Sequence, residues 1–191
     1  LHVVAIADFD EPKVQGLLAS SGWETYQYSA PSTQIAYESG RTFLSDDSNQ
    51  VLKTECIDVV IEATGKVKSG INHALSAFRS GKHVIMVTVE ADAVAGALLS
   101  EIATSSEVIY SLAYGDQPAQ ICEHVDWART VGFRVIAAGK GTRYHPSFHD
   151  STPETVWRNF GIDEKVAEKG HMDPKMFNSF IDGSKSAIEM T

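Results

Sequence analysis

The apolar positions of the chain fall into short runs of strand character separated by stretches of helical period. His2 to Ala7, Thr42 to Leu44, Ile57 to Ala63, His83 to Val87, Val108 to Leu112 and Phe133 to Ala137 each read as a strand. Val59, Val60 and Ile61 are consecutive β-branched residues, as expected of a central parallel strand covered on both faces, and Thr64-Gly65 leaves backbone room past its carboxyl end. Between the strands, Val14, Leu17 and Leu18 predict a helix that stops at Gly22. Val67, Ile71, Ala74, Leu75 and Phe78 predict one closed by Gly81. Val94, Ala97, Leu98 and Ile102 mark another, and Ile121, Cys122, Val125 and Ala128 a further one. Glu24 to Ser29 suggests a short extended piece, Pro31 opens a helix ending near Gly40, and Ser45 to Ser48 offer caps for a brief helix through Leu52. Strands alternating with helices at this spacing predict right-handed βαβ units, hence an α/β fold with a parallel sheet and helices on both faces.

The pattern changes at Gly139. Residues 139–153 have no apolar period and are rich in groups that donate, accept or titrate, and short helical pieces follow around Glu154 to Phe160, Pro174 to Phe180 and Asp182 to Met190. The expected division is therefore a first domain over 1–138 and the beginning of a second, truncated domain over 139–191. Both ends read as those of a fragment. Leu1 runs at once into a strand, and nothing resembling a helix stop follows Met190.

Composition narrows the function classes. A hydrophobic share of 43% with 21% charged residues is that of a globular domain. No window approaches the ~18 to 20 consecutive apolar residues of a membrane span, so no membrane segment is expected. The net charge of −9, with lysines and arginines dispersed, argues against a nucleic-acid partner. Cys56 and Cys122 suggest neither a disulfide framework nor a cysteine metal site, which fits a reducing, cytoplasmic setting.

The candidate chemistry sits where strands end. In dinucleotide-binding sheets a carboxylate after a strand accepts hydrogen bonds from the adenosine ribose, and Asp8 stands in such a place; the alternative is that Asp8 caps the following helix. On the first reading the sheet is doubly wound and Rossmann-like, lacking its first strand and glycine-rich phosphate turn. The carboxylate favours NAD over NADP. Ala63, Thr64 and Gly65 would let backbone approach the nicotinamide ribose. Glu90 and Asp92 either face the cofactor or substrate or simply begin a helix at its positive end, and Asp116, in Tyr114-Gly115-Asp116-Gln117-Pro118, has the same ambiguity one strand later. In the 139–153 loop, Lys140, Arg143, His145 and His149 with Thr142, Ser147, Ser151 and Thr152 are suited to an anionic or phosphorylated substrate. His145 and His149 are poorly spaced across Pro146 for a metal, so a divalent metal is compatible but not indicated and no metal ligand is assigned. Asp182 and Lys185, three apart, would share a helix face, and a lysine oriented by a carboxylate is a candidate proton donor to a carbonyl being reduced.

Taken in order, Val59 to Gly65, Val89-Glu90-Ala91-Asp92, Tyr114 to Pro118, Gly139-Lys140-Gly141-Thr142 and Asp182 to Met190 resemble homoserine-dehydrogenase-like NAD(P)-dependent oxidoreductases. That group includes proteins with a C-terminal SAF domain that are similar to 1-deoxy-D-xylulose 5-phosphate reductoisomerase. The resemblance implies NAD(P)H-dependent reduction of a small carbonyl compound, with a Rossmann domain and a separate substrate domain. It places the catalytic role on a lysine with acidic neighbours: Lys185 with Asp182 is the match, and Lys140 is its rival. A homo-oligomer is expected of the full-length parent. The competing class is a Rossmann-like module that senses a nucleotide without catalysis.

Overall fold

The computed structural model describes residues 1–115, 117–141, 144–170 and 172–190. Asp116, Thr142 and Arg143, each given a place in the substrate loop or turns by the sequence, lie outside the described residues. The chain divides into two compact units, Leu1–Ala113 and Tyr114–Thr191, so the break falls one helix before the change of sequence pattern at Gly139.

In the first unit, β1 (Ala5–Ala7) pairs in parallel with β2 (Phe43–Ser45), while β3 (Val59–Glu62), β4 (His83–Met86) and β5 (Tyr110–Leu112) form a second parallel ladder in that order. Helices α1 (Glu11–Ser20), α2 (Thr33–Ser39), α3 (Ser48–Leu52), α4 (Val67–Arg79) and α5 (Val89–Ser105) alternate with the strands. This is the expected α/β, Rossmann-like arrangement of parallel strands. Local chemistry starts and stops the helices: Asp10 accepts the Lys13 N–H with Pro12 in the first turn of α1, and Asp47 accepts the Asn49 N–H at the start of α3.

The core of this unit lies on one face of the three-stranded ladder. Ala74, Ala77 and Phe78 of α4 and Ala91, Leu99 and Ala103 of α5 pack on Val84 and Met86 of β4, with Leu52 beside them. Alanines at these positions let both helices approach the strands closely, and Phe78 meets Tyr110 edge-on at 5.9 Å between ring centroids.

Three expectations are corrected. The strand expected to be central and covered on both faces, β3, ends its ladder, and its Val59 and Ile61 are 40% and 59% exposed. Alternate residues of a strand point to opposite faces, and α4 and α5 cover the same one, toward which Glu62 turns. Glu24 to Ser29 is not extended: Thr25–Tyr28 is a turn of 3-10 helix, closed by reciprocal bonds between Glu24 and Gln27. Phe133 to Ala137 has no ladder partner among the described residues, and Phe133 and Ile136 are 65% and 84% exposed.

The second unit contains α6 (Gln117–Thr130), a 3-10 turn over Pro146–Asp150, α7 (Val156–Phe160), α8 (Glu164–Lys169), α9 (Pro174–Ile181) and α10 (Ser184–Glu189). Its core is small: Phe148, Val156 and Ile181, with Trp157, Phe160 and Phe177 against them. Among the described residues no helix is long and apolar enough to cross a membrane.

Candidate functional site

Two clusters of polar side chains are built around buried glutamates, one in each unit. The first lies at the carboxyl ends of the parallel strands, where open α/β sheets bind ligands. Strand β3 ends at Glu62, which is 2% exposed. Its Oε1 accepts the Thr64 hydroxyl at 2.5 Å and the Thr64 backbone N–H at 3.3 Å, and it lies 3.4 Å from His73 Nδ1. Its Oε2 accepts the Thr88 hydroxyl at 2.5 Å. The Thr88 oxygen in turn accepts the Gly65 N–H at 3.0 Å, and the Thr64 oxygen accepts the Lys66 N–H at 3.3 Å. His73 Nε2 lies 3.1 Å from the Ser48 hydroxyl. Burial works against a charge on Glu62, yet the hydrogen bonds from His73, Thr64 and Thr88 outweigh it and bring the carboxyl down to about 2.

This network joins the turns that follow β2, β3 and β4. Gly65 sits at φ 66°, a left-handed conformation that a residue with a Cβ enters at a cost, which is the reason for glycine there. The N–H groups of Thr64, Gly65 and Lys66 all donate within the network, so the turn presents no convergent donors to a phosphate.

The remaining cofactor candidates divide. Asp10, not Asp8, caps α1. Asp8 is an exposed carboxylate at the end of β1, its N–H donating to Ser45 O at 3.0 Å and its Oδ1 accepting the Asp10 N–H at 3.0 Å. Glu90 and Asp92 lie in the first turn of α5, and Asp92 Oδ1 accepts the Tyr110 hydroxyl at 2.7 Å, so that carboxylate is turned to β5. Burial, reinforced by Asp92, pushes the Tyr110 hydroxyl well above the ordinary tyrosine range.

The second cluster is in the second unit. Glu189, the last residue of α10, is 8% exposed. Lys140 Nζ donates to its Oε2, and Lys185 Nζ, one helical turn back, lies 3.6 Å from its Oε1. The two rival lysines thus meet on one carboxylate. The partner expected for Lys185 is corrected: Asp182 is the C-cap residue of α9, where it accepts the Ser184 N–H at 2.9 Å and the Asn178 amide at 3.0 Å. Gly183, at φ 84°, breaks the chain between them, so the i, i+3 spacing does not place both on one helix.

His145, Ser147 and His149 lie on and beside the exposed 3-10 turn over Pro146–Asp150. His145 Nδ1 accepts the Ser147 N–H and lies 2.8 Å from its hydroxyl, whereas His149 Nε2 lies 3.0 Å from the Tyr144 hydroxyl. The turn is pinned at its end, where the Ser151 hydroxyl donates to Asn178 Oδ1 at 2.7 Å and accepts the Asn159 amide at 2.8 Å. Among the described residues no group of three His, Cys, Asp or Glu side chains gathers as a metal site.

Sequence reasoning missed Glu62 and Glu189. The signal for Glu62 was a single carboxylate closing an apolar strand, with hydroxyl residues two positions on and just past the next strand. For Glu189 it was the i, i+4 spacing from Lys185, the stronger helical pairing.

Residues 115–191 match the family model described as the catalytic domain of oxidoreductase DRL, and they lie wholly within the second unit. No curated protein matches the chain. Among solved structures, an NAD-binding oxidoreductase from Klebsiella pneumoniae is similar at 18% identity and a TM-score of 0.43, over 69% of this chain and 30% of that one. Homoserine dehydrogenase from S. aureus is similar at 15% identity and a TM-score of 0.38, over 86% of this chain and 50% of that one. The chain therefore spans half or less of the length of either protein.

Proposed function

We propose that the chain is part of a nicotinamide-dependent oxidoreductase that reduces a small, anionic or phosphorylated carbonyl compound. The first unit holds the dinucleotide, and the second holds the substrate and supplies the proton. The observation that carries this reading is the meeting of Lys140 and Lys185 on the buried Glu189, inside the stretch that matches an oxidoreductase catalytic domain.

The residues of the first unit fit the sugar and ring end of a dinucleotide: Asp8 is an exposed carboxylate for a ribose, and the Thr64-Gly65 turn is a donor-poor face. The strand orders β2-β1 and β3-β4-β5 also match the two halves that flank the first strand of a doubly wound sheet. The Asp8 carboxylate would repel a 2′-phosphate, which favours NAD. The cofactor would supply hydride to the carbonyl carbon. The ammonium of Lys185 would then give its proton to the carbonyl oxygen and recover one from water, while Glu189 fixes its position. Lys140 would hold the anionic part of the substrate, with Arg143, His145, Ser147 and His149 of the same loop and Asp116 as further candidate substrate contacts. Both the homoserine-dehydrogenase-like and the reductoisomerase-like substrate classes contain such a carbonyl.

The test is NADH and NADPH oxidation by the full-length protein with aspartate semialdehyde and with deoxyxylulose phosphate. Turnover of either supports the reading, and Lys140→Met should then chiefly raise KM for the carbonyl substrate. Dinucleotide binding with no turnover of any carbonyl compound would favour the nucleotide-sensing alternative.

A further inference from the structure

We propose that Glu62 is a positioning residue for the cofactor face: its carboxylate holds the turns after β3 and β4 in one frame, and it acts through Thr64 and Thr88 without touching the ligand itself. This rests on the reading that the first unit binds a dinucleotide.

Three features of the geometry support the assignment. Glu62 is sealed beneath the turn, 2% exposed, and its oxygens are directed at the residues that shape the surface rather than at the surface. The Thr88 hydroxyl is the joint: it donates to Glu62 Oε2 at 2.5 Å and accepts the Gly65 N–H at 3.0 Å, so one side chain of the β4–α5 turn fixes the backbone of the β3–α4 turn. Such a relay has a fixed sense. An ionised carboxylate can only accept, which forces both threonine hydroxyls to donate downward and leaves their lone pairs for the N–H groups of Gly65 and Lys66.

The surrounding packing is shaped to the same end. A Cβ at Gly70 would lie 3.1 Å from Glu62 Oε2 and 3.0 Å from Ala91 Cβ, so any larger residue there would press on the Glu62 carboxylate and on α5. His73, one turn along α4, carries the frame from Glu62 to Ser48, the first residue of α3. A carboxylate that merely capped α4 or closed the core would need neither the Thr88 joint nor the link to α3.

Exchanging the carboxylate for an amide keeps the shape and ruins the sense of the relay, because an NH₂ group must then face a hydroxyl that was donating. Losing a charge-assisted hydrogen bond of this kind corresponds to roughly 10- to 100-fold in an equilibrium constant.

The experiment uses the full-length protein and three variants, Glu62→Gln, Thr88→Val and Thr88→Ser. Two quantities are read: the Kd for NADH by calorimetry, and the exchange protection of the Gly65 amide without ligand. The expected result is a roughly 10- to 100-fold weaker Kd and lost Gly65 protection in Glu62→Gln and Thr88→Val, with Thr88→Ser close to wild type in both because it keeps the hydroxyl. KM for the carbonyl substrate should stay unchanged in all three. Wild-type binding with Glu62→Gln and Thr88→Val binding equally well would overturn the inference. A wild-type protein that binds no dinucleotide while Gly65 protection still depends on Glu62 would leave the frame standing and overturn the dinucleotide reading on which the proposal rests.

Discussion

Glu62 and Glu189 are both buried carboxylates, and they are satisfied in opposite ways. Around Glu62 the partners are hydroxyls, a backbone N–H and an imidazole, so the anion stabilises a shape. Around Glu189 the partners among the described residues are two lysines, so the anion gathers positive charge. A carboxylate held by dipoles is suited to be a frame. One held between ammonium groups is suited to fix the position of those groups.

The first way to sharpen this contrast is acid. Because Glu62 titrates near 2 when folded and near 4.5 otherwise, its stabilisation is complete above about pH 4.5 and is lost as the pH falls through about 2. The gap corresponds to on the order of 3 kcal/mol. Equilibrium unfolding between pH 7 and pH 2 should show that loss in the wild type and a much flatter profile in Glu62→Gln; equal profiles would mean that the frame does not depend on the charge.

Glu189→Gln should come next. It removes the anion between two largely buried lysines and should destabilise the second unit by about 2 kcal/mol in denaturant titrations. Gly70→Ala tests the packing of the first cluster with an inverted sign. In an ordinary helix interior the change stabilises by roughly 0.5 to 1 kcal/mol, but here the new methyl meets Glu62 and Ala91 and should destabilise by about 1 to 2 kcal/mol. The smallest effect belongs to Tyr110→Phe, which gives up the bond to Asp92 and should cost about 1 kcal/mol. It should also remove the loss of stability expected above about pH 10, because burial and Asp92 hold the folded Tyr110 neutral there while the unfolded residue ionises.

The contrast also explains how much was legible in the sequence. Alternating apolar periods gave the parallel α/β architecture, and glycines at strand and helix ends gave the turns. Lys140 and Lys185 were singled out, the one in a loop rich in charged and hydroxyl groups and the other by its spacing from Asp182. Their shared partner was not, since it lies 49 positions from Lys140 and its i, i+4 spacing from Lys185 was passed over in favour of Asp182. Asp182 looked the better partner for Lys185 because spacing alone does not show that Gly183 starts a new helix. Glu62 was hidden in plain strand pattern: alternation sends it to the core face, where an unaided reading expects an apolar residue. Phe133 to Ala137 had the composition of a strand, but composition cannot supply the neighbour on which a ladder depends.

The division of labour between the two glutamates is tested most directly by the single-turnover rate of NADH oxidation in full-length Lys185→Met, with cofactor and carbonyl substrate both saturating. If the second cluster supplies the proton, the rate should fall by roughly 10²- to 10⁴-fold while the NADH Kd stays within about twofold of wild type. A variant that keeps its rate, or that loses NADH affinity instead, would contradict the assignment of proton transfer to Lys185.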